Sequence, residues 1–254
     1  MKVVVERFND MGTLRFQLAG PVGIITISRP HQRNALTKDM WHTISEWTNK
    51  LPKKTRVLVI RGAGQDFTAG SDIKEFAKLS PQEANEAFET METAMKSIES
   101  IPIPTMASIN GPAFGAGFIL AMACDIRIGT EKAKFGMPVG KLGITLEEPF
   151  LSRMIRTLGT SRTMDLVYTA RSYDADRALE VGILNYVTNS ENLGSETLKL
   201  CRKILMQSRA SLRAVKENVL NPVPKPTAKQ RSWVDAADFM EGVQAFSEKR
   251  AARF

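Results

Sequence analysis

Histidine and cysteine are nearly missing from this 254-residue chain, which has only His31 and His42, Cys124 and Cys201. A catalytic triad or a zinc site built on imidazole has almost nothing to draw on, and the cysteines lack the C-x-x-C or Cys/His spacing of a metal centre. Both read as reduced, mostly buried thiols. No apolar run approaches the roughly 18 residues of a membrane span, and residues 1–10 lack the apolar stretch of a secretory signal. The expectation is a soluble, cytoplasmic protein with no metal site and no membrane partner.

What is present is 43% apolar side chain, enough for a sizeable core organised as one α/β domain with a modest appendage. The formal net charge is +8, and residues 199–254 carry twelve Lys/Arg against five Asp/Glu. Such a segment attracts polyanions, yet its basic residues are not interleaved with aromatic platforms and match no nucleic-acid module. It reads as a solvated helical face, or as a face near a small anionic ligand, with no nucleic-acid partner.

Residues 14–18 alternate and residues 22–28 are β-branched, which predicts a hairpin turning at Gly20-Pro21. Thr37 is placed to cap a helix bearing Met40, Trp41, Ile44 and Trp47 at helical spacing. Val57-Leu58-Val59-Ile60 has the continuous apolar character of a strand covered on both faces, and residues 106–109 and 126–128 repeat it. Ser80-Pro81-Gln82-Glu83 spells a capping box, opening a helix that should run to about Ser100, before Ile101-Pro102-Ile103-Pro104. Beyond Glu147 the chain reads as helical through residues 154–158, 162–169 and 175–181. The run Asn221-Pro222-Val223-Pro224-Lys225-Pro226 is a linker between a helix near residues 211–220 and an amphipathic one near 233–253. This divides the chain into a core, residues 1–195, and a helical region, residues 196–254.

Two glycine loops, each after a buried strand, stand out as candidate chemistry: residues 62–74 and residues 110–117. Backbone N–H groups at such loops are fixed donors, and two converging on one oxygen stabilise an enolate or tetrahedral intermediate by about 3–4 kcal/mol per donor. Neither loop fits the phosphate-binding or dinucleotide-binding fingerprint. By themselves the loops are equally compatible with plain chain reversal.

Taken in chain order, Ile25-Thr26-Ile27-Ser28-Arg29-Pro30 with Asn34-Ala35-Leu36, Phe67-Thr68-Ala69-Gly70-Ser71-Asp72-Ile73, residues 104–117, Ala123-Cys124-Asp125-Ile126-Arg127 and Ala133-Lys134-Phe135-Gly136-Met137-Pro138 resemble the crotonase (enoyl-CoA hydratase/isomerase) superfamily. The resemblance implies a spiral of ββα units with a C-terminal helical region at subunit contacts, assembled as trimers or paired trimers. It implies an acyl-CoA thioester as ligand, with no cofactor beyond the CoA of the substrate. Matched residue by residue, the oxyanion donors fall on Ser71 and Ala116. The CoA moiety is expected near Arg29, Arg33, Ala69, Asp72, Ile73 and Lys74, and the pocket near Phe67, Ile119 and Val139.

This chain departs from the hydratase pattern at two places. Where hydratases carry their two glutamates it has Ile119 and Val139. Hydration without them would forgo the roughly 10²–10⁴-fold due to each acid/base group. Eight residues beyond Val139, where single-base members of the superfamily place their carboxylate, stands Glu147. Flanked by Leu146, Phe150 and Leu151, Glu147 is expected to lose solvation and so to have a raised pKa. The resemblance thus implies a single-base enoyl-CoA isomerase. Alternatives are a hydrolase- or dehalogenase-like member using Glu147, and an acyl-CoA-binding paralogue without hydratase activity. Glu147 and Glu148 also suit the first turn of a helix entered at Pro149.

Overall fold

The computed structural model describes residues 14–221 and 233–254. Apart from Asn221, the predicted proline-rich linker lies outside the described residues.

Strands β1 (Leu14–Ala19) and β2 (Val22–Ile27) form the expected antiparallel hairpin, with Gly20 supplying the positive φ of the turn. Four more strands add in parallel: β3 (Val57–Gly62), β4 (Thr105–Ile109), β6 (Ile126–Thr130) and β9 (Tyr186–Thr188), in the order β1-β2-β3-β4-β6-β9. The apolar runs of β3 and β4 belong in the middle of this sheet because both its faces are covered. Leu58 and Ile60 point into the large core with α1 (Lys38–Asn49) and α3 (Pro81–Ser100). Val57 and Val59 point the other way, with Met106 and Ile128, onto Leu193 and Cys201 of α7 (Leu193–Leu205). Residue 195, the expected end of the core, falls inside this helix.

The helix starts follow their caps. Thr37 accepts from the Met40 N–H, burying Met40, Trp41 and Ile44, and Ser80 and Glu83 complete the capping box of α3. Asp72 caps the single turn α2 (Ile73–Phe76). Helix α4 (Ala116–Met122) is buried at every position from Gly117 onward, so it is apolar all round. A second sheet, β5 (Pro112–Phe114), β7 (Lys134–Gly136) and β8 (Ser172–Tyr173), lies beside it. These strands are three residues or shorter, too brief for periodicity to announce them.

Helix α5 (Glu148–Thr169) is interrupted at Gly159, which is non-helical at φ 74° and ψ 167°. That break is why residues 154–158 and 162–169 read as separate helical segments. Helices α6 (Ala175–Glu180), α8 (Arg209–Leu220) and α9 (Ala236–Ser247) complete the chain. Both cysteines are free and buried, and burial pushes the Cys124 thiol up to about 12 and the Cys201 thiol to about 11. Among the described residues no helix is long and apolar enough to cross a membrane.

Candidate active site

The two glycine loops meet backbone to backbone. Thr68 bridges Ala113 in parallel, and Leu36 bridges Ser71. A side chain on Gly70 would put its Cβ 2.7 Å from the Phe114 carbonyl oxygen and 3.1 Å from the Ala116 nitrogen, and Gly70 itself sits at φ +95°. Only glycine fits there. Ser71 follows this contact on one loop, and Ala116 is the first residue of α4 on the other, where a helix leaves its N–H groups without internal partners. Neither the Ser71 nor the Ala116 N–H donates to a backbone acceptor among the described residues.

The first loop is braced by the motif Asn34-Ala35-Leu36. Buried Asn34, at φ 58°, donates through Nδ2 to the carbonyls of Ala63 and Asp66 and accepts from the Arg29 N–H. The Thr68 hydroxyl donates to the Asn34 carbonyl.

Of the cations expected at the CoA moiety, two have partners in the chain. Arg29 pairs with Asp72 at 2.9 Å and also donates to the Ala35 carbonyl, so its side chain is mostly covered and engaged. Burial would raise the Asp72 carboxyl, but the Arg29 hydrogen bond and charge, with the Lys74 and Glu75 N–H groups, outweigh it and hold the group below the usual range. Arg33 is exposed and pairs with Asp66. Lys74 is exposed and has no side-chain partner among the described residues. Ala69 and Ile73 line the cavity below.

That cavity has a volume of about 280 Å³. Ser71 and Ala116 line its rim, and Ile119 and Val139 are in its wall. Phe67 is not: it is wholly buried in the core, because the chain turns it inward between Asp66 and the Thr68 bridge. Glu147 lines the cavity as the residue that caps α5, and its carboxylate makes no capping bond. The expected loss of solvation does not occur, for Glu147 lies at the mouth and is exposed; its apolar neighbours flank it without covering it. Glu148, the first residue of α5, is exposed and does not line the cavity.

Several wall residues were not singled out from the sequence as pocket residues. Asn85, Phe88 and Met91 come from α3 at intervals of three, a spacing that puts them on one helix face, and Phe150 comes from the first turn of α5. Phe76, Phe88 and Phe150 form a chain of edge-on contacts, with centroids 5.3 and 6.4 Å apart. Behind Phe150, buried Arg153 donates to Glu92 and Glu99 of α3 and to the Pro149 carbonyl, fixing the turn that bears Glu147.

A largely parallel sheet, two glycine loops in contact and an apolar cavity beneath them are the features of a crotonase-fold enzyme. The family model described as enoyl-CoA hydratase/isomerase matches residues 18–254. The chain belongs to the enoyl-CoA hydratase/isomerase family. It is 32% identical to an enoyl-CoA isomerase/hydratase of Mycosarcoma maydis, with 91% of each chain covered. Its fold matches the crystal structure of an enoyl-CoA hydratase/carnithine racemase from Magnetospirillum magneticum, with a TM-score of 0.90, 26% identity and coverage of 100% of this chain and 98% of that one. A structure from Thermobifida fusca YX in complex with CoA matches with a TM-score of 0.77 and 29% identity, over 93% of this chain and 90% of that one.

Proposed function

We propose that this protein is a single-base enoyl-CoA isomerase. The observation that carries the reading is that, among the described residues, Glu147 is the sole ionisable side chain lining the cavity. In the proposed reaction the thioester carbonyl oxygen of a 3-enoyl-CoA accepts hydrogen bonds from the Ser71 and Ala116 N–H groups. Glu147 removes a proton from C2, and the C–H electron pair moves into the conjugated dienolate, whose negative oxygen the two donors stabilise. The protonated Glu147 then delivers the proton to C4, leaving the double bond between C2 and C3. One base serves both carbons when they lie on one face. Ile119 and Val139 support the reading by offering no group to orient or deprotonate water.

Acyl-CoA as the ligand is supported by the family and by the CoA-bound relative in fold. Lys74, exposed beside cavity-lining Ile73, suits the CoA phosphates better than Arg29 does, because Asp72 already neutralises Arg29. Assembly as a trimer or paired trimers is part of the same proposal and is supported by the exposed apolar side chains of Trp233, Met240 and Phe246.

The test is incubation with a 3-enoyl-CoA in heavy water. The expected result is 2-enoyl-CoA with label exchange, abolished by Glu147→Gln; full exchange in that variant would sink the assignment. One observation favours a second reading: water reaches exposed Glu147, as thioester hydrolysis requires. Release of free CoA thiol, followed with a thiol reagent, would establish it in place of isomerisation.

A further inference from the structure

The cavity is poor in polar groups. Apart from Glu147, its polar side chains are Ser71, Asn85 and Thr145, and no Lys, Arg or His lines it among the described residues. The wall consists instead of the aromatic chain Phe76, Phe88 and Phe150 with Met91, Ile119 and Val139. The cations nearest in sequence or packing are engaged or turned outward. Arg153 is held by Glu92 and Glu99, and Arg29 by Asp72. Lys74 and Lys141 adjoin lining residues Ile73 and Leu142, yet both are exposed and neither lines the cavity.

From this we infer that the site takes uncharged hydrocarbon acyl groups and discriminates against acyl groups ending in a carboxylate. The inference rests on the acyl-CoA reading given above but not on the isomerase step. A carboxylate entering the cavity would give up its hydration without gaining a cation, and burying an unpaired charge is costly. It would also share the cavity with Glu147, and two like charges disfavour each other. Asn85 offers a neutral amide donor, which lessens the cost without removing it. A methyl terminus meets none of these penalties and gains contact with the aromatic wall.

The experiment is a calorimetric titration of the full-length protein with hexanoyl-CoA and adipoyl-CoA, which differ only in a terminal methyl versus carboxylate. Both are saturated, so neither is a substrate for isomerisation. Adipoyl-CoA is expected to bind about 30-fold more weakly. Asn85→Lys, at an exposed cavity-lining position, is expected to narrow that ratio about three- to fivefold by supplying a cation. Equal affinities, tighter adipoyl-CoA binding, or a ratio untouched by Asn85→Lys would overturn the inference. Those results would leave the isomerase reading standing, since that reading falls on the Glu147→Gln exchange experiment. Binding of neither ester would remove both.

Discussion

Arg153 donates to the Pro149 carbonyl at 3.0 Å, so a side chain on the second turn of α5 holds the turn that carries Glu147. The same guanidinium reaches Glu92 at 2.9 Å and Glu99 at 2.7 Å on α3, and only 3% of the side chain is exposed. Two walls of the cavity are thereby joined through one buried cation. Replacing a buried pair by apolar groups is often neutral, whereas breaking it costs about 3–5 kcal/mol. Arg153→Met is therefore expected to lower the unfolding free energy in urea by about that amount. The combined variant Arg153→Met, Glu92→Gln, Glu99→Gln should recover most of the loss, since the one cation it leaves without its carboxylate, Arg156, is half exposed to water.

Glu147→Gln should behave in the opposite way. Its carboxylate makes no hydrogen bond as the residue capping α5, so the melting temperature should stay within about 1 °C, the mark of a surface substitution. Isomerisation kcat should fall by about 10²–10⁴-fold, the scale of a lost acid/base group. Steady-state kinetics beside a thermal melt separates the two effects.

Gly70→Ala tests the contact between the loops. At φ +95° an alanine is strained, costing about 1–3 kcal/mol, and its Cβ would meet the Phe114 carbonyl at 2.7 Å. The loops must separate, moving the Ser71 and Ala116 N–H groups out of register. Loss of one oxyanion donor is worth about 10²–10³-fold in kcat, and a decrease on that scale is expected together with a lower denaturation midpoint.

The Arg29–Asp72 pair sets an acid limb on stability. Because the folded Asp72 carboxyl lies below its ordinary value of 3.8, the unfolded chain binds the proton more readily. The pair's contribution is fully present above pH 3.8 and is lost as pH falls through the lower folded value. In Asp72→Asn, urea midpoints should be reduced near neutral pH and converge on the wild type in that acid window. Parallel curves at all pH values would remove Asp72 as the source.

The C-terminal region provides the last test. Trp233 is 85% and Phe246 87% exposed, large apolar surfaces that a second copy would cover. Light scattering should report a trimer or hexamer for the wild type and smaller species for the double variant Trp233→Ser, Phe246→Ser. A wild-type monomer at micromolar concentration would end the proposed assembly.

Much of this architecture was readable in advance, where local physics suffices. The capping box at Ser80, the cap at Thr37 and the Gly20 turn depend on neighbours a few residues away, and each appears as expected. The brief strands β5, β7 and β8 carried no signal because their partners, not their own sequences, define them. Phe67 was misplaced for a related reason: being aromatic and next to a loop does not say which way the side chain turns, and it turned into the core. Glu147 was expected to be desolvated by its apolar neighbours, yet sequence neighbours at a helix start splay apart. Asn85, Phe88 and Met91 share a helix face that the sequence displays, but nothing in it says that this face looks into a cavity.

The amino-acid sequence by itself determined the parallel-sheet class, the family motifs, and the absence of carboxylates at residues 119 and 139, because these depend on residue identity and spacing. Only the tertiary structure decided that Ile119, Val139 and Glu147 share one cavity, that Gly70 lies against the Ala116 turn, and that Arg29 is already neutralised by Asp72. Those are relations between residues on different elements, from 8 to 46 positions apart, fixed by how the sheet and helices pack.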